Sequence, residues 1–182
     1  MRIITGTARG VKLEAVAGDI VRPTTEMAKE GLFSAIQFDL DSRRVLDLFA
    51  GSGQLGLEAL SRGAAFAVFV DELEKSVEVV KKNAQKAKLF QNCRIVRMDY
   101  TDFLKKNSET FHYIFVDPPY HLGIVEEVVK KIFKYGALAP DGVIVCEIDE
   151  ACLDEEKINE AGGEIFKKYK YGKTYIHMVR AK

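Results

Sequence analysis

The sequence predicts a doubly wound α/β domain whose Rossmann-like sheet has seven strands, most of them parallel. Five apolar stretches of strand length alternate with helix-like stretches through the middle of the chain. Strands that are apolar on both faces are typical of parallel sheets covered by helices on each side. The last two strand-like stretches are separated only by Tyr171-Gly172-Lys173, a turn too short for a parallel crossover. We therefore expect the sheet to end in an antiparallel hairpin.

The elements follow in a regular order after Asp41. The five apolar strands are predicted at residues 45–49, 66–70, 94–98, 113–116 and 143–148. Helices are predicted between them at 54–61, 72–87 and 124–135. The antiparallel pair is predicted at 164–170 and 174–180. Right-handed crossovers between the parallel strands complete the doubly wound arrangement.

Two further strand-like stretches near the N-terminus, 1–5 and 11–16, flank a glycine-rich turn. This pattern predicts a small β-hairpin. A helix is predicted next, from Thr24 or Thr25 as its N-cap to about Phe38. Because no repeat or long linker interrupts the chain, we expect one domain over residues 1–182, with the hairpin extension at 1–22 and the core at 23–182.

The composition is that of a globular protein with one well-formed core. Of 182 residues, 47% are hydrophobic and 30% are charged. The first residues lack the apolar stretch of a secretory signal, and the longest apolar run, 64–70, is too short to span a bilayer. Cys93, Cys146 and Cys152 have no C-x-x-C spacing, so we expect reduced, buried thiols in a cytoplasmic protein.

Charge is balanced overall but unevenly distributed. The 27 basic and 27 acidic residues cancel, so bulk charge indicates no nucleic-acid partner. Six basic residues nevertheless lie between Lys167 and Lys182 without an acidic one, and four more lie near the N-terminus. Ordinary surface charge is one interpretation, and a basic face for a phosphate backbone is the other. The candidate nucleic-acid-binding residues are Arg2, Arg9, Lys12, Arg22 and Lys173.

A strand, a glycine-rich turn and the start of a helix follow one another at residues 45–56. Gly51, Gly53 and Gly56 match the G-x-G-x-x-G pattern, and Asp71 follows about 20 residues after the first glycine. Glycines let the backbone turn sharply and let a ligand approach closely. Asp71 is placed to accept hydrogen bonds from both ribose hydroxyls of an adenosine. The predicted cofactor-binding residues of the loop are Phe49, Ala50, Gly51 and Gly53.

The glycine pattern alone does not separate a dinucleotide from S-adenosylmethionine (SAM), and Asp47 favours SAM. A dinucleotide places its pyrophosphate at the helix N-terminus, where the dipole attracts anions. SAM has no phosphate and carries a sulfonium and an ammonium group. A carboxylate four residues before Gly51 suits the ammonium, and would repel a pyrophosphate by about 4 kcal/mol at about 4 Å and an effective dielectric near 20. The alternative is that Asp47 turns away and caps the loop backbone.

The predicted third strand ends at Arg97-Met98-Asp99-Tyr100. Asp99 can accept a hydrogen bond from the adenine amino group, and Tyr100 can offer its backbone N–H to the cofactor. An aspartate at the end of a strand also often caps the next helix, so both interpretations of Asp99 stay open.

The fourth apolar strand runs directly into Asp117-Pro118-Pro119-Tyr120. Consecutive prolines fix φ and remove two backbone donors, which predicts a rigid loop with carbonyl groups available as acceptors. Asp117 and the Pro118 carbonyl could each accept one N–H of an exocyclic base amine and direct its lone pair at the sulfonium methyl. Tyr120 would stack on the base, worth about 1–3 kcal/mol. The predicted catalytic residues of this in-line methyl transfer are Asp117, Pro118, Pro119 and Tyr120.

Other chemistries find little support in the sequence. His112, His121 and His177 have no metal-ligand spacing among themselves or with the cysteines, so no metal site is predicted. The sequence has no G-x-S-x-G elbow and no G-x-x-x-x-G-K-[ST] loop.

With these residues in view, the chain resembles the RsmD family of bacterial 16S ribosomal RNA guanine-N2 methyltransferases. The resemblance covers nearly the whole chain and is carried by short segments in the same order. These segments are Arg2-Ile3-Ile4-Thr5-Gly6 through Arg9-Gly10, Arg22-Pro23-Thr24, Asp47-Leu48-Phe49-Ala50-Gly51-Ser52-Gly53, Leu55-Gly56, Glu58-Ala59-Leu60-Ser61-Arg62-Gly63-Ala64, Asp117-Pro118-Pro119-Tyr120 and Tyr171-Gly172-Lys173-Thr174.

The resemblance implies a SAM-dependent enzyme that methylates the N2 amine of one guanine in small-subunit ribosomal RNA, within a ribonucleoprotein particle. It implies that the hairpin and the basic face contact RNA, and we expect a monomer with neither a metal nor a membrane partner. One stretch departs from the family pattern, because Met27 and Ser34 stand where the family usually has Arg and Asn. Gly31 also weakens the predicted helix, by about 1 kcal/mol relative to Ala.

Three other functions stay open. A DNA adenine-N6 or cytosine-N4 methyltransferase shares the loop chemistry, but such enzymes usually carry a separate target-recognition region, for which 182 residues leave little room. A non-catalytic RNA-binding module could retain the fold, although the predicted cofactor residues and Asp117 are intact. A NAD(P) dehydrogenase would need a proton-transfer residue at a hydride-transfer site, and none stands out.

Overall fold

The computed structural model describes residues 1–17, 26–36, 39–119, 123–148 and 153–182. Some sequence predictions lie outside these residues. They are the RNA contact by Arg22, the helix caps by Thr24 or Thr25, the helix end at Phe38, the stacking by Tyr120 and the burial of Cys152.

One seven-stranded sheet forms the centre of the domain. Its strands are β1 (Arg44–Asp47), β2 (Phe66–Asp71), β3 (Cys93–Arg97), β4 (Phe111–Val116), β5 (Leu138–Ile148), β6 (Gly163–Tyr171) and β7 (Thr174–Ala181). Their order across the sheet is β3-β2-β1-β4-β5-β7-β6. β1 to β5 pair in parallel, and β7 pairs antiparallel with both β5 and β6. The predicted mostly parallel sheet with an antiparallel C-terminal hairpin is confirmed.

Six α-helices lie in the described ranges, together with a short 3-10 helix at Phe90–Asn92. The α-helices are α1 (Glu26–Ile36), α2 (Gln54–Ser61), α3 (Glu74–Lys86), α4 (Tyr100–Lys106), α5 (Val125–Lys134) and α6 (Glu155–Glu160). None of these helices is long and apolar enough to cross a membrane. The short α4 and α6 were not predicted, because seven and six residues are too few to show a helical period. Their N-caps mark them instead, since Asp99 and Asp154 each accept two backbone N–H groups.

Each face of the sheet has its own apolar core. Residues of α1, α2 and α3 pack on one face, and residues of α4, α5 and α6 pack on the other. Successive strand residues alternate between the two cores, as Phe69 does with Val68 and Val70 in β2. This two-sided burial is why the parallel strands are apolar throughout.

The two cysteines in the described ranges are free thiols with different surroundings. Cys146 in β5 is fully buried, as predicted. Cys93 begins the edge strand β3 and is only half-buried, so the prediction of burial is wrong for this residue. Burial still raises the pKa of the Cys93 thiol to about 11, which keeps it in the unreactive thiol form at neutral pH.

The predicted N-terminal β-hairpin is not confirmed. Residues 1–17, which we call the N-terminal arm, contain one antiparallel bridge, between Arg2 and Lys12, and no strand. Backbone hydrogen bonds cross the arm only beside this bridge, such as those from the Ile3 N–H to the Val11 carbonyl at 3.0 Å and from the Leu13 N–H to the Met1 carbonyl at 3.1 Å, and the N–H groups that follow Ile3 bond to α2. The N–H groups of Ile4 and Thr5 donate to the carboxylate of Glu58 at 2.8 and 3.0 Å.

Glu58 is the centre of a buried ionic cluster between the arm, α1 and α2. Its carboxylate also accepts from Arg62 Nε at 2.8 Å and lies 3.5 Å from Lys29 Nζ. Lys29 is itself fully buried and donates to the Arg2 carbonyl at 2.6 Å. Burial lowers the pKa of the Lys29 ammonium, and the neighbouring Glu58 carboxylate opposes that shift. Removal of one partner from such a cluster typically costs about 3–5 kcal/mol.

Ser61 makes a second attachment one helical turn further along α2. Its hydroxyl donates to the Thr5 carbonyl at 2.6 Å and accepts from the Ala8 N–H at 2.9 Å. Its carbonyl accepts from the Thr7 N–H at 2.8 Å. The stretch from Glu58 to Arg62 therefore anchors the N-terminal arm, a structural role that the sequence did not reveal.

Gly31 has a packing role that its poor helix propensity hides. A Cβ atom at this position would lie 2.2 Å from Cζ of the Tyr171 ring. Glycine therefore lets Tyr171, at the end of β6, lie against the backbone of α1. Met27 and Ser34, the two departures in this helix, are both exposed, so neither alters its packing.

We predict that Gly6→Ala destabilises the protein clearly more than Gly10→Ala. The two glycines have similar φ values of 86° and 84°, at which alanine costs about 1–2 kcal/mol. A Cβ on Gly6 would also lie 1.7 Å from the Ser61 carbonyl oxygen, whereas a Cβ on Gly10 would meet nothing within 4 Å. Urea unfolding should show an additional loss of roughly 1–3 kcal/mol for Gly6→Ala. Equal losses for the two variants would show that the arm does not pack tightly on α2.

Candidate active site

A cavity of about 350 Å³ opens at the carboxyl edge of the sheet, where β1, β2, β3 and β4 end. Its volume suits a small-molecule ligand, and this edge is where open α/β sheets bind their ligands. Of the predicted cofactor-binding residues, all except Gly53 line the cavity. Those that do are Asp47, Phe49, Ala50, Gly51, Asp71, Asp99 and Tyr100.

The glycine loop turns from β1 into α2 with two residues in the left-handed region. Gly51 has φ 51° and faces open space, since a Cβ there would meet nothing within 4 Å. Gly53, with φ 78°, is the N-cap of α2. A Cβ on Gly53 would lie 3.2 Å from Val80 and 3.4 Å from Phe69, so Gly53 packs against the core behind the cavity.

Asp71, the last residue of β2, holds the loops on both sides of it. Its Oδ2 accepts the Gly51 N–H at 2.9 Å, and its Oδ1 accepts the Leu73 N–H at 2.9 Å. A carboxylate oxygen can accept more than one hydrogen bond, so both oxygens keep capacity for a ligand. The residue that would bind a ribose is therefore also the one that fixes the glycine loop.

Asp47, the last residue of β1, is nearly completely buried at 2% exposure. Its Oδ2 accepts the Gly56 N–H in the first turn of α2 at 3.0 Å. The residue thus caps the loop backbone and lines the cavity at the same time. Burial raises the pKa of its carboxyl to about 7, the Gly56 hydrogen bond opposes the shift, and the charge of Asp71 adds to it.

Asp99 and Tyr100 begin α4 beside the end of β3. Asp99 Oδ1 accepts the N–H groups of Thr101 and Asp102 at 2.8 and 3.1 Å, so the helix-capping interpretation is realised. The Tyr100 ring centre lies 5.2 Å from that of Phe49, and the Tyr100 hydroxyl accepts from Lys131 Nζ at 3.1 Å. These contacts fix one wall of the cavity.

The predicted catalytic loop follows directly after β4. Asp117 and Pro119 line the cavity, while Pro118 is buried and does not line it. Tyr120 lies outside the described residues. β4 is the neighbour of β1 in the sheet, so the loop lies beside the glycine loop.

The cavity wall is strongly acidic. Five carboxylate side chains line it, and no lysine or arginine side chain of the described residues does so. The five are Asp47, Asp71, Glu72, Asp99 and Asp117. Such a wall attracts a cationic ligand and repels a pyrophosphate.

The N-terminal arm supplies a wall that the sequence did not predict. Met1 and Val16 line the cavity, and Met1 Sδ accepts from the Ser52 hydroxyl at 3.3 Å. Asn83, buried in α3, ties arm and loop together. It accepts the Glu14 N–H at 2.8 Å, and its Nδ2 donates to the carbonyls of Glu14 at 3.0 Å and Ser52 at 2.9 Å.

Other lining residues also escaped the sequence prediction. Leu73 follows the acidic pair after β2 and is 42% exposed, Ser76 lies in α3, and Gln54 is the first residue of α2. Leu73 could have been noticed as an apolar residue two positions after Asp71, the predicted ribose-binding residue. Gln54 gave no signal, since a glutamine at the start of a helix is ordinary.

The predicted nucleic-acid-binding residues are exposed where the structure describes them. Arg2, Arg9 and Lys12 lie on the arm, and Lys173 lies in the β6–β7 turn. The Arg2 guanidinium is 3.1 Å from the Glu26 carboxylate, which partly neutralises it. Within the described ranges, Arg9, Lys12 and Lys173 form no salt bridge, and no group of side chains is arranged to hold a metal ion.

The strand order, the glycine loop after β1, the carboxylate after β2 and the Asp-Pro-Pro loop after β4 define a methyltransferase of the Rossmann-like class. The family model described as Conserved hypothetical protein 95 matches residues 1–180. The chain belongs to the RsmD family of ribosomal RNA methyltransferases.

Individual relatives agree with this assignment. The chain is 38% identical to YlbH of Bacillus subtilis, a candidate rRNA methyltransferase, over 99% of this chain and 98% of that protein. It is 38% identical to the ribosomal RNA small subunit methyltransferase D of Escherichia coli K12, over 81% of this chain and 74% of that protein. The solved structure of yhhF from Escherichia coli, a candidate methyltransferase, superposes with a TM-score of 0.87 at 32% identity, covering 100% of this chain and 98% of the other.

We predict that Asp47→Asn changes how the stability depends on pH. The pKa of Asp47 is raised from 3.8 to about 7 in the folded chain, so folding favours its neutral form. The free energy of unfolding of the wild type, measured relative to that of the variant, should be highest below about pH 4. It should fall by about 4 kcal/mol as the pH rises through about 7. Urea unfolding between pH 4 and about 8 measures this. Glu78→Gln, at an exposed position, controls for the loss of a carboxylate. A pH-independent difference between wild type and Asp47→Asn would contradict the prediction.

Proposed function

We propose that this enzyme transfers a methyl group from SAM to the N2 amine of a guanine in small-subunit ribosomal RNA, in the cytoplasm. The observation that carries the cofactor assignment is the acidic wall, to which the described residues contribute no lysine or arginine side chain. SAM is cationic at its sulfur and at its amino group, whereas NAD(P) carries a pyrophosphate that five carboxylates would repel. When bound, the cofactor supplies an electrophilic methyl group on its positively charged sulfur.

Three neighbouring strand ends hold the three parts of the cofactor in this proposal. Asp99 and Tyr100 after β3 bind the adenine, Asp71 at the end of β2 binds the ribose, and Asp47 at the end of β1 binds the ammonium. Adjacent strands are about 4.8 Å apart, so three strand ends span about 10 Å, which suits an extended nucleoside with an amino-acid tail. Phe49, Ala50 and Gly51 complete the floor of this site, with Gly53 shaping the loop behind them.

The two interpretations of Asp47 are compatible in this arrangement. One carboxylate oxygen caps Gly56, and the same carboxyl faces the cavity, where a bound ammonium would favour its ionised form. The raised pKa of Asp47 in the ligand-free chain then falls on binding, so cofactor binding near pH 6 to 7 releases a proton.

The Asp117-Pro118-Pro119 loop positions the base amine beside the cofactor site. An exocyclic amine is a poor nucleophile, because its lone pair is delocalised into the ring. The Asp117 carboxylate and the Pro118 carbonyl each accept one of its N–H groups and aim the lone pair at the methyl group. Methyl transfer would form the N–CH3 bond and break the S–CH3 bond, which leaves a neutral thioether and one proton too many on the amine. The Asp117 carboxylate, which already accepts one N–H of that amine, would take the proton. Tyr120 supplies the stacking face.

The RNA partner is supported by the position of the basic residues and by the relatives. Tyr175 of β7 pairs with Ile148 at the carboxyl end of β5, so the β6–β7 turn with Lys173 lies at the same edge as the cavity. The arm that carries Arg2, Arg9 and Lys12 forms another part of the cavity wall. We propose that these residues, with Arg22, contact the phosphate backbone and that the monomer acts on a ribonucleoprotein particle. The guanine N2 target rests on the resemblance to the RsmD family.

The direct test is the transfer of labelled methyl from SAM to small-subunit particles, and to RNA extracted from them, both from cells that lack this protein. Nucleoside analysis should find the label in N2-methylguanosine. Label in another nucleoside would overturn the base assignment, and label only on DNA oligonucleotides would overturn the RNA assignment. If neither RNA nor DNA is labelled, although SAM binding is shown separately, the catalytic proposal is contradicted.

We predict that Asp117→Ala lowers the transfer rate by at least about 10³-fold and changes the affinity for S-adenosylhomocysteine by no more than a few-fold. The reason is that Asp117 acts on the base amine rather than on the cofactor. Single-turnover methyl transfer and titration calorimetry measure the two quantities. Asp102→Ala, an exposed aspartate in α4, is the control and should change neither. A large loss of cofactor affinity in Asp117→Ala would assign Asp117 to the cofactor instead.

A further inference from the structure

Gln54 is a buried polar residue in the cavity wall, and its acceptor atom has no hydrogen-bond partner in the part of the chain that the structure describes. It is the first residue of α2 and is only 8% exposed. Its Oε1 is buried and accepts no hydrogen bond from any described residue. Leaving such a group unpaired costs about 1–3 kcal/mol, so the chain keeps an unfavourable side chain in one wall of its cavity.

The location of Gln54 limits which ligand groups could form hydrogen bonds with its side chain. Gln54 lies two residues before Gly56, whose N–H is bonded to Asp47. It is therefore at the β1 end of the cavity, away from Asp99 and Tyr100 after β3. An amide offers both an acceptor and two donors, and its terminal torsion turns easily, so it suits a ligand group that carries a donor and an acceptor side by side.

We propose that the Gln54 side chain binds the amino-carboxylate end of the cofactor. Its Oε1 accepts a hydrogen bond from the ammonium, which Asp47 also attracts, and its Nε2 donates to the carboxylate. The carboxylate lies near the N-terminus of α2, where the helix dipole favours an anion. Gln54 thereby gives a hydrogen-bond donor to the carboxylate, the one negative group of a ligand that otherwise faces an acidic wall. The inference rests on the proposed function, because it takes SAM as the cofactor.

The test compares two ligands that differ only at the amino-acid end. S-adenosylhomocysteine carries the amino-carboxylate, and 5′-methylthioadenosine has the same adenine and ribose without it. Titration calorimetry with Gln54→Leu should show an affinity for S-adenosylhomocysteine lowered by about 10- to 100-fold, the effect of losing two hydrogen bonds to charged groups. The affinity for 5′-methylthioadenosine should stay within about threefold. Gln85→Leu, the same substitution at an exposed site on α3, should change neither affinity.

A purely structural role for Gln54 predicts different results. In that case Gln54→Leu would weaken both ligands equally or neither, and either result would overturn the proposal. The ligand-free Gln54→Leu protein should melt at or above the wild-type temperature, because Gln54 Oε1 accepts no hydrogen bond from the described residues. If leucine does not fit, Gln54→Met must show the same ligand selectivity. Failure of both ligands to bind the wild type would overturn the cofactor assignment itself, which is distinguishable from failure of Gln54 alone.

Discussion

The carboxylate of Glu58 is the contact on which the geometry of the cavity depends. It is fully buried, and it receives the N–H groups of Ile4 and Thr5 together with the side chains of Arg62 and Lys29. α2, which carries Glu58, begins at the glycine loop of the cavity, and the arm that Glu58 holds supplies a further part of the cavity wall. An uncompensated charge in such a site is costly, so the loss of one partner would destabilise the contacts that the others make. One acidic side chain thus fixes the glycine loop and the N-terminal arm, with its proposed RNA-binding residues, relative to each other.

The cavity itself is held in an electrostatically unfavourable state. Five carboxylates face a space of about 350 Å³, and the pKa of Asp47 is raised to about 7 because burial and the nearby Asp71 both disfavour its charge. The backbone hydrogen bonds to Asp47, Asp71 and Asp99 keep these groups in place without neutralising them. A cationic ligand relieves the repulsion, whereas an anionic cofactor would increase it. In the proposed function, specificity for SAM over a dinucleotide therefore comes from this acidic wall, because the glycine pattern is common to both kinds of site.

The parts of the fold that follow local rules were predictable, and the parts that depend on distant contacts were not. Parallel strands are buried on both faces, so their apolar runs are visible in the sequence, and the glycine loop, Asp71 and Asp117 follow their strand ends in a fixed order. The N-terminal hairpin is not confirmed, because two alternating stretches around a glycine turn are typical of one, whereas the N–H groups of Ile4 and Thr5 donate to Glu58, more than fifty residues away. The sequence likewise shows Gly31 only as a weak helix residue, because its contact with the Tyr171 ring joins two parts of the chain that are far apart in sequence. Gln54 could be recognised only from its unpaired acceptor.

The most direct test of the account is a crystal structure of the protein with S-adenosylhomocysteine. We expect adenine beside Asp99 and Tyr100, ribose hydroxyls on Asp71, and the amino-carboxylate between Asp47 and Gln54, with the sulfur facing Asp117. The arm should cover the ligand with Met1 and Val16 in place. A ligand bound in the reverse direction along the strand ends, or outside this cavity, would contradict the account.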